Sequence, residues 1–318
     1  MIKTNYNFYY MNIIFRNIVF ITIAVLTFSC NKPLPTELLD DTLSEEQNLQ
    51  IESASPEPST YIYANGYDTT GILQPFFDKS TLINVSGIRN TFNNQTVFMA
   101  NYSADFYDTN LAIKNMHGRL VGFRTRMMGT VKFNNITADK IPLRIRYMDN
   151  GKMIDTTIGF HFVLRNNNMM HPNDILNFPY NSFVNFRIDV QQGNHFQYNI
   201  PTPPEIIGHL KVEGTRAKKN LKIEISWNAL RSGKINMVVG IFDPITQNVF
   251  PYYKITAADN GNAVLPLSLL EKLPIQGQQQ LVITLIRKIE IEIQNNQLLK
   301  DNLIVSQSIH NIKVQLPN

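Results

Sequence analysis

The sequence predicts an all-β fold, with two antiparallel β-sandwich domains that follow a signal peptide and a flexible tether. Short segments alternate apolar and polar residues with a period of two, as in Ile141–Tyr147 and Leu221–Trp227. Turn-forming clusters such as Asp149-Asn150-Gly151 separate these segments. The first sandwich shows no amphipathic helical pattern, and in the second we expect only one or two helical turns, at Pro266–Leu273. Short strands at regular spacing are typical of a sandwich.

Residues 1–29 have the parts of a secretory signal peptide. Arg16 places a positive charge before the apolar run 18–30, and a polar segment that contains proline follows at once. The run is too short for a comfortable membrane span, which needs roughly 20 apolar residues. Met11 begins a more ordinary signal than Met1 does, so both start sites stay open.

The end of this run, Leu26-Thr27-Phe28-Ser29-Cys30, resembles a bacterial lipobox, in its loose form typical of Bacteroidota outer-membrane lipoproteins. The resemblance implies cleavage before Cys30 and attachment of a diacylglyceryl group, with acyl chains such as palmitate, to its thiol. Two or more acyl chains hold a protein firmly on a membrane. We therefore expect a lipid anchor in the outer membrane, in the periplasmic leaflet or on the cell surface.

Residues 30–59 are predicted to form a flexible, acidic tether. Seven acidic residues and no Lys or Arg occur in 33–57, which leaves a net charge of +8 for 58–318. Few aromatic residues and many charges are typical of a segment that does not fold alone. Within it, Asp41-Thr42-Leu43 resembles the short O-glycosylation motif of Bacteroidota, which makes Thr42 a candidate glycosylation site.

The N-terminal β-sandwich domain is predicted over 60–202. Its boundary is the run Pro201-Thr202-Pro203-Pro204, which favours an extended linker. The predicted strands are Thr96–Ala100, Arg119–Met128, Thr130–Phe133, Ile141–Tyr147, Met153–Leu164 and Phe183–Val190.

The C-terminal β-sandwich domain is predicted over 203–318, with roughly seven strands and with the sole tryptophan, Trp227, on a core face. The main predicted strands are Leu221–Trp227, Lys234–Phe242, Val249–Ile255, Gln280–Ile293 and Ile309–Leu316. This plan resembles an immunoglobulin- or fibronectin-III-like sandwich, without the cysteine pair of antibody domains. Such a fold supports many functions.

The sequence contains no recognisable catalytic or metal-binding motif. It lacks Gly-x-Ser-x-Gly, His-Glu-x-x-His, P-loop and dinucleotide-binding patterns, and its six histidines are scattered. Cys30 is the only cysteine, so acylation would leave no thiol for a disulfide, a metal or a nucleophile. We therefore expect no catalytic residues, no metal and no cofactor, and we predict that the protein is not an enzyme.

Four arginines form the most suggestive polar pattern. Arg124 and Arg126 share one side of a predicted strand, and Arg144 and Arg146 share one side of another. If these strands pair, the four guanidinium groups would lie on one sheet face and could bind an anionic ligand through bidentate hydrogen bonds. A solvated sheet face protected by charge is the plainer alternative.

These features predict an exported, lipid-anchored binding or structural protein. We expect it to be an accessory component of an outer-membrane or cell-surface assembly, with a protein or glycan partner and no nucleic acid. One alternative is a fimbrillin-like adhesive subunit, since fimbrillins resemble this plan of a lipoprotein precursor with two sandwiches. The other is a polysaccharide-acting hydrolase, because a carboxylate pair can assemble only in the fold.

Overall fold

The computed structural model describes residues 49–53, 79–92, 95–165, 177–190, 195–244, 248–275, 280–294 and 298–317. In the first part of the chain the strands are β1 (Gln50–Ser53), β2 (Thr81–Phe92), β3 (Gln95–Lys114), β4 (Leu120–Thr125), β5 (Thr130–Phe133), β6 (Ile136–Thr137), β7 (Asp139–Asp149), β8 (Lys152–Arg165), β9 (Phe183–Asp189) and β10 (His195–Pro201). The later elements are β11 (Gly208–Glu213), β12 (Lys222–Trp227), β13 (Lys234–Asp243), β14 (Asn248–Ala258), β15 (Asn262–Leu265), the short helix α1 (Leu267–Lys272), β16 (Gln280–Ile291) and β17 (Asn302–Val314).

The fold is all-β and sandwich-like, as the sequence predicts. One sheet has ten strands in the order β1-β14-β13-β16-β17-β2-β3-β8-β7, with β4 also paired to β3. Two smaller sheets have the orders β10-β9-β5-β6 and β11-β12-β15. The smaller sheets share their hydrophobic cores with one face of the large sheet, which we call the inner face; the opposite face is the outer face.

Each small sheet covers a different half of the large sheet. In the first half, Tyr102 on β3 stacks on Phe133 of β5 with ring centroids 5.4 Å apart, and Phe133 contacts Phe186 of β9. In the second half, Ile223 and Trp227 on β12 belong to one core with inner-face residues of β13, β14 and β16. The period-two pattern has the expected physical cause, since every second side chain of these strands is buried.

Trp227 is buried, which confirms its predicted place in the core. The helical turns predicted near Pro266 are confirmed as well: α1 follows Pro266 and buries Leu269 and Leu270 against the second core. In the described residues after 203, seven strands divide three to four between two packed sheets. The resemblance to an immunoglobulin- or fibronectin-III-like sandwich stays a prediction.

One strand pair differs from the purely antiparallel expectation. Strands β17 and β2 pair in parallel, in register from Asn302↔Thr81 to Lys313↔Phe92. The two strands come from opposite ends of the described chain, so the spacing and turn signals that predict hairpins do not bear on this pair.

The division into two domains at 202/203 is not confirmed. The buried residues do form two main cores that follow the two halves of the sequence. However, the β17–β2 pair joins both halves into one sheet, and all described residues fall within one compact unit.

The flexible tether predicted for 30–59 is wrong at Gln50–Ser53, which form β1 at the edge of the large sheet. Gln50 pairs with Thr256 and Ser53 with Tyr253 of β14. Ile51 packs against the second core. Backbone hydrogen bonding to β14 holds the other residues of the strand. A mostly polar edge strand of this kind needs only one inward apolar side chain.

Candidate functional site

The predicted lipidation site Cys30 and the predicted glycosylation site Thr42 lie outside the described residues. Within the described ranges, no helix is long and apolar enough to cross a membrane. In the same ranges, no group of three or more His, Cys, Asp or Glu side chains is placed to hold a metal ion.

The four predicted arginines do not share a paired sheet face. Strand β4, which carries Arg124, pairs with β3, whereas β7 pairs with β8. A common arginine surface would require direct pairing of β4 with β7, and that expected pairing is wrong. Binding of an anionic ligand by these residues stays a prediction.

Each arginine has its own environment. Arg124 is exposed opposite Asp108. Arg126 follows β4 and donates to the Leu298 carbonyl oxygen at 3.0 Å; burial lowers the pKa of Arg126, and Asp108 opposes that shift. Arg144 is exposed and pairs with Asp155 at 2.9 Å. Arg146 is the backbone partner of Asp155 on β8, and its side chain is outside the description.

A different cationic site lies on the outer face, at one end of the central strands. Lys313 of β17 lies over two aromatic rings: its Nζ is 3.2 Å from the centroid of Phe242 on β13 and 5.1 Å from that of Phe92 on β2. Val97 and Met99 of β3 continue the same face across the β2–β3 hairpin. We call Phe92, Val97, Met99, Phe242 and Lys313 the Phe–Lys surface.

The Phe–Lys surface exposes apolar side chains to solvent. Val97 is 58% exposed, Met99 39% and Phe92 37%. Contiguous exposed apolar groups on a soluble protein typically indicate an interaction site.

Lys313 has no carboxylate of a described residue within ion-pair distance, and its ammonium group contacts the two ring faces. Burial lowers the pKa of Lys313, because the aromatic neighbours displace water from the ammonium group. The ring faces return part of that cost through cation–π attraction. The three N–H groups of the ammonium can therefore still bind an external acceptor.

A row of amide side chains borders the Phe–Lys surface. Thr284 donates to Asn311 Oδ1 at 2.7 Å, and Asn311 Nδ2 donates to Asn90 Oδ1 at 2.8 Å. Asn90 Nδ2 donates in turn to the Met99 thioether sulfur at 3.5 Å. Because a thioether is a weak acceptor, Asn90 retains donor capacity next to Lys313.

On the inner face, the other prominent cation is fully partnered. Arg287 of β16 donates to Asp259 Oδ2 at 3.0 Å and to the backbone carbonyl oxygens of Asn228 at 2.8 Å and Glu205 at 3.2 Å. Asp259 Oδ1 accepts the Trp227 indole N–H at 2.8 Å. The Arg287 and Asp259 side chains are 6% and 2% exposed. We call these contacts the Arg287 network. It has a structural role, because it connects residues 204–205 to strands of the small sheet and of the large sheet.

His310 lies on the same inner face, between the two halves of the molecule. Its Nδ1 accepts the Gly208 backbone N–H at 2.8 Å, and its Nε2 lies 2.9 Å from Thr91 Oγ1. Because Nδ1 accepts, the neutral tautomer with hydrogen on Nε2 fits these partners. Burial, with the positive charge of Arg89 and the nearby His209, lowers the pKa of His310 to about 4.

Asp105, on the outer face of β3, also has a shifted pKa. Burial raises the pKa of Asp105 to about 7. Its Oδ1 has no hydrogen-bond partner, although His161 Nδ1 lies 3.6 Å away. The Asp105 carboxyl group is therefore incompletely satisfied, unlike the Arg287 network.

The Phe–Lys surface was not predicted from the sequence. Its residues come from four strands, and only their pairing brings Phe92 beside Lys313. One feature of the sequence could have indicated this surface. Thr96–Ala100 is apolar without alternation, so apolar side chains such as Val97 and Met99 also lie on the outer face of its strand. A continuous apolar run at a hairpin end can thus indicate an exposed contact surface as well as a buried strand.

A comparison of the chain with protein families, with curated proteins and with solved structures found no match.

Proposed function

We propose that this chain is an exported, lipid-anchored binding protein, an accessory component of an outer-membrane or cell-surface assembly. In this proposal, the acylated Cys30 holds the protein on the membrane. The β body contacts a glycan or protein partner through the Phe–Lys surface. The observation that carries the binding role is Lys313, a cation that rests on two aromatic rings without a carboxylate partner among the described residues.

The environment of Lys313 supports a binding role for a physical reason. Removing water from an ammonium group costs free energy, and the cost is largest when no anion compensates it. The same chain satisfies Arg287 completely. A partner's anion would compensate Lys313 in the bound state alone, so the interaction would favour the complex over the free protein.

The exposed apolar side chains around Lys313 support the same role. Phe92, Val97 and Met99 would be shielded from water by a partner, and each Å² of apolar surface removed from water contributes roughly 25 cal/mol. A charged centre with an apolar border thus provides both affinity and selectivity for ligands that carry a negative charge.

The anchor is tested by membrane partition. Cys30→Ser should move the protein from the membrane fraction to the soluble fraction of cells that export it, because no acyl chain can then be attached. Thr42→Ala is the matched control in the same segment and should stay with the membrane. Membrane retention of Cys30→Ser after a carbonate wash would contradict the anchor.

The contact surface is tested by site-specific photo-crosslinking in intact cells. A photoreactive residue at Val97 should give an adduct of higher mass, whereas one at Phe183, which is 59% exposed on β9, should not. Lys313→Gln should abolish the adduct at position 97. Equal labelling at both positions, or labelling at 97 that survives Lys313→Gln, would count against the Phe–Lys surface.

A further inference from the structure

We propose that the ligand of the Phe–Lys surface is a carboxylate-bearing polysaccharide, a chain of uronic acid units. This inference rests on the proposed binding function and names the chemistry of its partner. The carboxylate of one sugar unit would accept hydrogen bonds from Lys313, and the apolar face of that unit or its neighbour would cover Phe92, Val97 and Met99.

Two hydrogen-bond donors lie on this surface. Lys313 pairs with Phe92 across the β17–β2 ladder, and Asn311 pairs with Asn90 one step along the same face. Lys313 and Asn90 are therefore diagonal neighbours on the outer face of two adjacent strands. Lys313 Nζ contacts ring faces, and Asn90 Nδ2 contacts a thioether sulfur. A uronic acid ring carries both a carboxylate and hydroxyl groups, which are acceptors for these two donors.

The apolar part of the surface fits the same ligand. A pyranose ring has a C–H-rich face beside its polar edge, and such faces pack against aromatic and aliphatic side chains. Phe92, Val97 and Met99 offer an exposed apolar area next to the two donors. A uronic acid has its negative charge and its apolar face on one ring. The Phe–Lys surface has the complementary groups side by side, a cation and exposed apolar side chains.

The surface is also open and built on regular strands, which suits an extended polymer. β2, β3, β13 and β17 supply its residues from consecutive or nearby positions of one sheet. A linear polysaccharide can lie along such a face. Its repeated units multiply weak single contacts into a useful affinity.

The dimensions favour a glycan over the other anionic partners. A stable protein interface covers about 800 Å² and 20–30 residues on each partner, whereas the Phe–Lys surface consists of five side chains. Recognition of anionic lipid headgroups typically uses clusters of 4–8 basic residues. The Phe–Lys surface has one ammonium group among four apolar side chains.

The test is binding of the purified chain from residue 30 onward, carrying Cys30→Ser, to immobilised polysaccharides. Polygalacturonate should retain the protein at low ionic strength, and neutral dextran should not. Lys313→Gln should weaken retention on polygalacturonate at least about tenfold, which is the lower end of the effect of removing one charge-assisted hydrogen bond. Phe92→Ala should also weaken it, and added salt should reduce binding of the unmodified surface.

Lys288→Gln is the matched control. Lys288 is also on the outer face, on β16, but it pairs with Glu290 at 2.7 Å, so its removal should leave retention unchanged. Lys313→Met serves as a second variant, and thermal melts establish that each variant is folded. Equal retention of Lys313→Gln and the parent, or no retention of the folded parent on polygalacturonate, would overturn the proposal.

Two further arms separate the other anionic partners. Equal binding to dextran sulfate would reduce the interaction to unspecific charge attraction and overturn the preference for carboxylate. Binding to phosphatidylglycerol vesicles in place of polygalacturonate would assign the surface to a membrane and overturn the glycan. If polygalacturonate fails while the Lys313-dependent adduct at Val97 persists in cells, the ligand class is wrong and the proposed binding function stands. If both fail, both proposals fall.

Discussion

Arg287 and Lys313 lie on neighbouring strands of one sheet and have opposite environments. On the inner face, the Arg287 network gives the guanidinium a carboxylate and backbone carbonyls. On the outer face, Lys313 has two aromatic rings and no carboxylate of a described residue. The charge of Arg287 is compensated within the fold. We propose that the charge of Lys313 is compensated by a bound partner. Substitution at the first should therefore change stability, and substitution at the second should change binding.

The largest effect is expected at the Arg287 network. Arg287→Met should lower the free energy of unfolding by about 3–5 kcal/mol, because Asp259 would remain as a buried, uncompensated charge. Urea unfolding followed by tryptophan fluorescence measures this directly. Trp227 is the only tryptophan and donates to Asp259, so its emission reports on the network itself.

The double variant Arg287→Met/Asp259→Asn separates lost packing from stranded charge. The amide introduced by Asp259→Asn would keep an oxygen acceptor for the Trp227 N–H and carry no charge. The double variant should therefore recover part of the stability lost by Arg287→Met. A loss below about 1 kcal/mol for Arg287→Met would show that the network is not structural and would remove one side of the comparison.

His310, also on the inner face, should make the stability of the protein depend on pH. Its pKa is about 4 in the folded chain against an ordinary 6.5. The unfolded chain therefore binds a proton more readily between these values. The contribution of neutral His310 is complete above pH 6.5 and is lost as the pH falls through 4. Over that window it amounts to about 3 kcal/mol.

His310→Gln should flatten the decline in stability between pH 6.5 and pH 4, because glutamine can keep an acceptor and a donor without titrating. His117→Gln, at an exposed histidine, should leave the decline as it is. Unfolding curves at pH 7, 5.5 and 4.5 compare the three proteins. An unchanged slope in His310→Gln would mean that Gly208 and Thr91 do not hold the neutral ring.

On the outer face, Asp105 should make stability depend on pH in the opposite direction from His310. Its pKa is about 7 against an ordinary 3.8, so the folded chain favours the protonated carboxyl group. The stability from that form is complete below pH 3.8 and is lost as the pH rises through 7.

Asp105→Asn should therefore stabilise the protein at pH 8 and have little effect at pH 4. We expect a gain of about 2 kcal/mol, roughly half of the full linkage value, because the side chain is 14% exposed and His161 lies nearby. Asp139→Asn, an exposed carboxylate on β7, is the control and should change stability at neither pH. Destabilisation of Asp105→Asn at pH 8 would indicate a paired, ionised Asp105.

The sequence predicted much of this fold because most of it is local. Strand Thr130–Phe133, Trp227 in the core and the turn of helix after Pro266 follow from alternation, turn residues and proline geometry within a few positions. Strand β1 was missed because Ile51 is its only apolar residue and its order comes from backbone pairing with β14.

The candidate site could not be predicted in the same way, since it depends on contacts between distant residues. Phe92 and Lys313 meet through a parallel ladder that no local signal announces. The arginine prediction shows the converse: Arg124 and Arg126 are two residues apart, as are Arg144 and Arg146, but β4 pairs with β3 and β7 pairs with β8. Spacing within a strand is readable from sequence, whereas the order of strands in a sheet is not.

The smallest effect on stability is expected at Lys313, and it gives the sharpest form of the comparison. Lys313→Gln should change the free energy of unfolding by no more than about 0.5 kcal/mol, because it breaks no ion pair within the described residues. The cation–π attraction that it loses is offset by the desolvation cost that it relieves. The same urea titration used for Arg287→Met measures it. A loss comparable with that of Arg287→Met would make Lys313 a structural cation, and the contrast between the two faces would then have no functional meaning.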